Sequence, residues 1–346
     1  MMKLMLRKEK GLLRLLSLFT ASKLALILFL AAISGWSLET AFMKWDASRY
    51  INIALHGYSS PDDYAFAPLF PLIIKLVNTI IGIPWLSAAL VSNAFSYVAL
   101  LIFYRLYGEK TTLILAFFPT FLIYTLLPYS EPVTISFLAL ALYFSRKKEN
   151  NVASMLSLSM AILSSYATAI VFPAFFMLKR KKYLLIPLIT GIAILIFFQM
   201  ETGDPFYYFY AEGKYWGSDL TSPWGQIQWI LHGWFTSQYW GVGPITLPPA
   251  YWLVRNILFE AFFIFSLIPL VTRKMKLELV FSLLVIAQLL CIKGIPAISV
   301  PRLLLKALPA FYGSSILIGS KVRVYVSVSL ATSFLVALLH VFSFFA

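Results

Sequence analysis

Charged residues are scarce in this chain of 346: Asp, Glu, Lys and Arg make up 12%, against 60% hydrophobic residues. Mean hydropathy is +0.83. A soluble domain of this length has too little interior to hide so much apolar surface, so lipid is the expected solvent. Acid is scarcer still, with 14 Asp and Glu against 28 Lys and Arg. Cysteine occurs once, at Cys291 in an apolar run, which excludes a disulfide within the chain. The three histidines, His56, His232 and His340, do not stand at metal-ligand spacing, and no compact His/Cys/carboxylate cluster accompanies them. No internal repeat, low-complexity segment or Gly-rich phosphate loop is present.

What the chain does have is long apolar runs. About 20 apolar residues cross a bilayer as a helix. Spans are expected at 22–42, 86–105, 111–128, 131–145, 183–200, 252–272, 277–293, 300–319 and 323–345. The run from Leu24 to Phe42 is too long for a signal peptide and ends without a small-residue cleavage site, so it is expected to stay as the first span. Leu12–Phe19 before it reads as an interfacial amphipathic stretch.

Lys and Arg set the orientation, because cytoplasmic loops retain positive charge. Basic clusters stand at Met1–Lys23, Arg105–Lys110, Arg146–Lys148, Lys179–Lys182, Arg273–Lys276 and Lys321–Arg323. With all of them inside, the N-terminus is inside and the C-terminus outside. Residues 67–82 then form a re-entrant or interfacial helix on the outer side. Residues 151–178, interrupted by Ser164, Ser165 and Thr168, form a short hairpin. This arrangement puts 20 of the 28 basic residues inside and 9 of the 14 acidic residues outside or at the outer edge. The basic excess is thus a topology signal, and no nucleic-acid partner is expected. Two outer loops are large, 43–85 and 201–250. The second is rich in aromatics, from Tyr207 and Tyr208 through Trp216 and Trp224 to Trp234, Tyr239 and Trp240. Such residues form an interfacial belt or a platform for sugar rings and isoprenoid tails.

The densest set of reactive side chains begins just after the first span, from Trp45-Asp46 to His56-Gly57-Tyr58. A carboxylate at the outer membrane surface can take a proton from a hydroxyl, as Asp46 is placed to do. Its ordinary alternative is to cap a helix. Glu131 follows Pro128-Tyr129-Ser130 at the start of a span, where the helix macrodipole also favours an acid. Arg302 stands at the outer end of a late span and can fork onto a phosphate or simply snorkel to the interface. Lys306 lies one turn beyond it on the same face. Lys293 and Arg49 are further basic residues.

Trp45-Asp46-Ala47, Ile53-Ala54, His56-Gly57-Tyr58 and Ala65-Phe66-Ala67-Pro68-Leu69-Phe70-Pro71 resemble, in order and spacing, the first luminal loop of PIG-V-like mannosyltransferases. Pro128-Tyr129-Ser130-Glu131-Pro132 resembles that family's motif opening a span. Gly203-Asp204-Pro205, Trp216 and Pro223-Trp224 resemble the large outer loop of its prokaryotic relatives, and Ser299-Val300-Pro301-Arg302-Leu303 with Pro309 a late Arg motif. The chain departs from the family at Leu303, where Tyr is common, and at Tyr166, where Arg is common.

The resemblance implies a GT-C membrane glycosyltransferase: an all-α polytopic bundle of about 9–11 transmembrane helices with outer interfacial helices, formed by residues 1–346 as one domain. It implies inverting transfer of a hexose, mannose first, from a dolichyl- or polyprenyl-phosphate sugar to an outward-facing glycolipid or glycan. Asp46 would be the base, and Arg302 with Lys306 would hold the donor phosphate, for which Lys293 and Arg49 are weaker candidates. Trp45, His56, Tyr58, Glu131 and Asp204 would bind or support substrate. The partners are the lipid-linked donor, the acceptor and membrane lipids. No cofactor is expected, although Asp46, Glu131 and Asp204 have the oxygen chemistry for a divalent ion. A prokaryotic cell membrane is the expected location, or the endoplasmic reticulum in a eukaryote. The main rival is a secondary transporter, which would show inverted repeats and charges near the midplane. A non-catalytic subunit of a glycan-assembly complex is a third reading, separable by mutating Asp46.

Overall fold

The computed structural model describes residues 2–178, 180–235, 249–294 and 299–341. The order begins with α1 (Met2–Ile33), α2 (Leu38–Phe42), α3 (Asp46–His56), α4 (Leu69–Ile81), α5 (Pro84–Tyr107) and α6 (Glu109–Ala116). It continues with α7 (Pro119–Tyr124), α8 (Glu131–Arg146), α9 (Asn151–Ser164), α10 (Leu185–Thr202), α11 (Tyr207–Trp216) and α12 (Pro223–Phe235). It ends with α13 (Pro249–Phe265), α14 (Ile268–Thr272), α15 (Lys276–Leu290), α16 (Val300–Leu303), α17 (Leu308–Ile318) and α18 (Val322–Val341). The helical membrane fold is as expected. Among the described residues one pairing departs from all-α: β1 (Asp219–Leu220) pairs antiparallel with β2 (Ile292–Lys293), tying the segment after α11 to the end of α15.

Among the described residues, five segments are long and apolar enough to cross a membrane: Glu9–Ile33, Pro84–Tyr107, Lys181–Thr202, Val254–Thr272 and Leu308–Val341. The segment Lys181–Thr202 leaves most of its surface uncovered by protein, as a lipid-facing helix should. Leu12–Phe19 is not a separate interfacial stretch. It belongs to α1, and Leu15, Phe19, Leu26 and Leu30 form one buried stripe at helical spacing. That span ends earlier than expected, at Ile33. Gly35 and Trp36 then turn the chain at positive φ, and Ser37 caps α2 by accepting from Thr40 N.

Other expected spans are interrupted. Residues 111–128 divide into α6 and α7 at Phe117–Phe118, because Pro119 cannot continue the preceding helix. Residues 300–319 divide into α16, a 3-10 turn (Leu304–Lys306) and α17, with Pro309 opening the last. Residues 67–82 contain only the 13-residue α4, too short to span, as expected of an interfacial helix. Residues 151–178 break where expected: Ser165 is extended, ending α9, and a 3-10 run (Tyr166–Met177) follows. Of the expected outer loop, 236–248 with Tyr239 and Trp240 lies outside the described residues, as do Lys179 and the end of the last span.

Irregular backbone among apolar helices must find hydrogen bonds inside the protein. The non-helical link between α7 and α8 does so through side chains of α1 and α5. Lys23 Nζ donates to Thr125 O at 3.0 Å, and Asn93 Nδ2 to Leu126 O at 3.1 Å. Ser92 Oγ donates to Tyr129 O and accepts from Tyr129 N. Lys23 itself is buried, held also by Asn93 Oδ1 and Ser96 Oγ. This scaffold delivers Ser130 and Glu131 to the start of α8.

Small residues let other helices approach closely. A Cβ added to Gly313 of α17 would lie 1.8 Å from Ser266 O, and Ser266 Oγ bonds Ser314 Oγ at 2.8 Å. Gly313→Ala must therefore push α17 away from the link between α13 and α14. The expected cost is about 1–3 kcal/mol, read as a lower thermal midpoint of the purified protein. An unchanged midpoint would contradict this contact.

Candidate active site

The side chains singled out in the sequence converge on a cavity of about 170 Å³. Asp46, Glu131, Arg302 and Lys306 all line it, together with Tyr50, Ser130, Ser164, Ser165 and the Ala65–Ala67 segment. Tyr208, Glu212 and Trp216 of α11 complete another wall, so α11 closes on residues carried by α3, α8 and α16.

Local structure explains each placement. Asp46 is the first residue of α3, and no side chain caps that helix; the capping alternative for Asp46 fails. Trp45 before it adopts φ 56°, an uncommon conformation for a bulky residue that costs about 1 kcal/mol or more. It sets the direction in which α3 starts. Glu131 likewise opens α8, without capping it. Both acids thus sit where a helix macrodipole favours negative charge, and both meet the same cation. Arg302 Nη1 donates to Asp46 Oδ2 at 2.7 Å, and Arg302 Nε lies 3.3 Å from Glu131 Oε1. The guanidinium carbon is 5.4 Å from the ring centres of both Tyr124 and Tyr129, a cation–π cradle supplied by α7 and the link after it. Thr120 Oγ1 donates to Pro301 O at 3.0 Å, anchoring the short α16 that carries Arg302. Tyr50 bonds Ser130 at 2.7 Å, and Thr134 bonds Ser164 at 2.8 Å, joining α3, α8 and α9 around the cavity.

Lys306 falls in the 3-10 turn rather than on a continuous helix with Arg302, because the run is broken before Pro309. It still lines the cavity and donates to Ser165 Oγ at 2.9 Å. The departures from the family pattern, Tyr166 and Leu303, are also cavity walls. The segment Phe66–Phe70 forms wall and support: Phe66 and Phe70 pack edge-on against Tyr50.

Four expected site residues do not reach the cavity. His56 is exposed in the last turn of α3. Tyr58 donates to Phe66 O at 2.8 Å and stacks on Tyr64, so it supports the loop. Trp45 acts through the start of α3, as described. Asp204 accepts from Phe206 N at 2.9 Å, closing the turn into α11. It does not join Asp46 and Glu131, and among the described residues no group of three His, Cys, Asp or Glu is arranged to hold a metal. The alternative anion ligands are also engaged elsewhere. Arg49 pairs with Asp62 and lies 3.8 Å from Asp63, while Lys293 is 3.7 Å from Asp219.

Glu212 is the site residue missed by the sequence reading. It lies among the aromatics of α11, where an acid has no local mark beyond the apolar neighbours that bury it. Burial pushes its carboxyl up to about 7, and the Asp46 charge adds to this; the Tyr208 hydrogen bond, Lys306 and Arg302 oppose it. Linkage fixes the sign. The folded chain keeps this proton up to about 7, whereas the unfolded carboxyl releases it near 4.5, so Glu212 destabilises the fold as pH rises through that window. The thermal midpoint should therefore fall less steeply between about pH 5 and about pH 8 in Glu212→Gln than in the parent. Parallel curves would show that Glu212 ionises normally.

Residues 15–115 match the family model described as Mannosyltransferase (PIG-V). That segment contains Asp46 and the Ala65–Pro71 stretch but neither Glu131 nor Arg302. No curated protein sequence matches the chain at a significant level. Among solved structures, the chain is similar to ArnT from Cupriavidus metallidurans bound to undecaprenyl phosphate, with TM-score 0.54 and 11% identity over 92% of this chain and 63% of that one. For ArnT in the apo state the values are 0.49 and 12%, over 87% and 61%. The chain thus spans less than two thirds of the length of the ArnT chain. At this identity the likeness concerns the fold. Residues 15–115 are thus similar to the PIG-V mannosyltransferase family, and over 92% of its length the chain has a fold similar to that of ArnT.

Proposed function

We propose that this protein transfers a hexose, mannose first among candidates, from a polyprenyl-phosphate sugar to a hydroxyl of an outward-facing glycolipid or glycan, in a prokaryotic cell membrane. The observation that carries this reading is the meeting of Asp46 and Arg302, 256 residues apart in sequence, in one cavity with Glu131 and Lys306. The match of residues 15–115 to a mannosyltransferase family supports the sugar, and the undecaprenyl phosphate bound to the similarly folded ArnT supports a lipid-linked donor.

In this mechanism the acceptor oxygen attacks the anomeric carbon from the face opposite the phosphate. Its proton passes to Asp46. The bond from the anomeric carbon to the phosphate oxygen breaks with its electron pair on that oxygen, and the sugar is inverted. Charge is conserved within the cavity: Asp46 loses one negative charge as the leaving phosphate gains one. Neutral Asp46 holds Arg302 less strongly, so the guanidinium is released towards the phosphate as charge develops there. Glu131 keeps Arg302 oriented throughout, and Lys306 supplies the second cation. Glu212, its proton affinity raised by burial, adds less than a full negative charge near neutrality.

The test supplies purified protein with radiolabelled polyprenyl-phosphate mannose and candidate acceptors. Asp46→Asn keeps size and much of the hydrogen bonding but cannot accept the proton. Turnover should fall by about 10²–10⁴-fold with donor binding retained. A variant keeping more than about a tenth of parental turnover would remove Asp46 from the role of base.

The outward orientation has its own check. In a Cys291→Ser background, a membrane-impermeant thiol reagent added to intact cells should label a cysteine placed at Ser218, a cavity wall, and spare one placed at Lys181. The reverse pattern would turn the active site to the cytoplasm.

A further inference from the structure

A second cavity lies away from the first, lined by Leu106, Tyr107, Arg146, Lys147, Arg273, Met275 and Tyr312. Helix α8 relates the two: Glu131 at its start lines the first cavity, and Arg146 at its end lines the second. Fifteen residue steps at about 1.5 Å place them roughly 22 Å apart, much of the hydrocarbon thickness. The second cavity belongs to the side that charge asymmetry assigns to the cytoplasm.

Three cations face this cavity. Arg146 is matched by the buried Glu278, with which it forms a close ion pair. Lys147 and Arg273 have no acid paired with them among the described residues, which leaves the cavity about two charges positive. The Arg273 guanidinium stands 5.4 Å from the Tyr312 ring centre and bonds its hydroxyl. Tyr312 stacks on Tyr107, with centroids 5.3 Å apart at 28°. The hydroxyl of Tyr107 is buried and has no hydrogen-bond partner among the described residues. A buried hydroxyl of this kind ordinarily finds a partner. The topology rule alone asks for basic residues in inner loops. It does not ask for a cavity between helix ends, for a stacked pair of tyrosines beneath an arginine, or for a hydroxyl left to donate.

We propose that this inner cavity is a phosphate-binding site that takes the head group of an anionic phospholipid. Lys147 and Arg273 would supply charge, and the Tyr107 hydroxyl a hydrogen bond. Leu106 and Met275 provide apolar wall beside the charges, which suits a phosphate carried on a lipid better than one free in water. Basic pockets between membrane helices on the cytoplasmic side are suited to such head groups. This proposal does not depend on the sugar-transfer chemistry.

Delipidated full-length protein in detergent would be titrated with phosphatidylglycerol, phosphatidylcholine or inorganic phosphate, and bound ligand counted by native mass spectrometry. Phosphatidylglycerol should bind in preference to phosphatidylcholine. The double variant Lys147→Gln, Arg273→Gln should weaken it roughly fivefold per lost cation. Tyr107→Phe, which removes only the hydroxyl, should weaken it about three- to tenfold. The control Lys321→Gln, Arg323→Gln removes the same charge on the same side but outside the cavity and should leave binding unchanged. Equal losses in the two double variants would reduce the effect to general surface charge and overturn the site. So would phosphatidylglycerol binding that ignores all variants. Binding of inorganic phosphate without retention of phosphatidylglycerol would overturn the lipid as its source. Thermal midpoints of the variants separate lost binding from lost folding.

Discussion

One guanidinium organises the cavity end of this protein. Arg302 reaches Asp46 at the start of α3 and Glu131 at the start of α8, over a floor formed by Tyr124 and Tyr129. Taking such charges from water costs several kcal/mol per ion, and their attraction offsets that only when geometry and hydrogen bonds are good. Removing any one partner would leave the others uncompensated. The cluster is therefore weak evidence for stability as such and stronger evidence for a site whose electrostatics are held in place before substrate arrives. Asp46 and Glu131 balance Arg302 and Lys306, and the two cations stand in the cavity in fixed positions.

Holding that cluster requires helices that stop at particular depths, and stopping a helix among lipid-facing neighbours exposes backbone that must be paired. The link between α7 and α8 solves this with Lys23, Ser92 and Asn93. A buried lysine in the first span is otherwise hard to reconcile with its surroundings; here its ammonium meets the Thr125 carbonyl of the link and the side chains of Asn93 and Ser96. The same logic covers the break between α16 and α17, where two prolines and a 3-10 turn leave Arg302 and Lys306 facing one cavity. The prolines that spoil simple span counting are what allow the site to exist.

Helix α11 adds the other half of the enclosure. Its aromatics looked equally suited to an interfacial belt or to a substrate platform, and the structure divides them. Tyr208 and Trp216 face the cavity, while Phe209, Tyr210 and Tyr215 are exposed. Glu212 among them has its proton affinity raised by burial, so the cavity gains an acid without gaining a full negative charge near neutrality.

The membrane class, the orientation signal and the residues Asp46, Glu131, Arg302 and Lys306 were legible in the sequence. Apolar run length, basic clustering and acids beside helix starts are local properties that survive without coordinates. His56, Tyr58 and Asp204 stand outside the cavity lining, because a motif ranks residues by pattern and does not say which side chains hold a loop and which line a cavity. Residues 111–128 and 300–319 looked like plain spans because hydropathy counts apolar atoms and ignores where backbone hydrogen bonds can be replaced. Lys23 read as one more inner charge, and Glu212 carried no signal at all. Their roles come mainly from neighbours tens to more than a hundred residues away: Lys23 from Asn93, Ser96 and Thr125, and Glu212 from Asp46 and Lys306, with Tyr208 one helical turn off adding a hydrogen bond. The sequence by itself determined the solvent, the charge asymmetry and the chemical groups. Only the tertiary structure decided which of those groups share a cavity, because burial and charge pairing act between segments that chain order keeps apart.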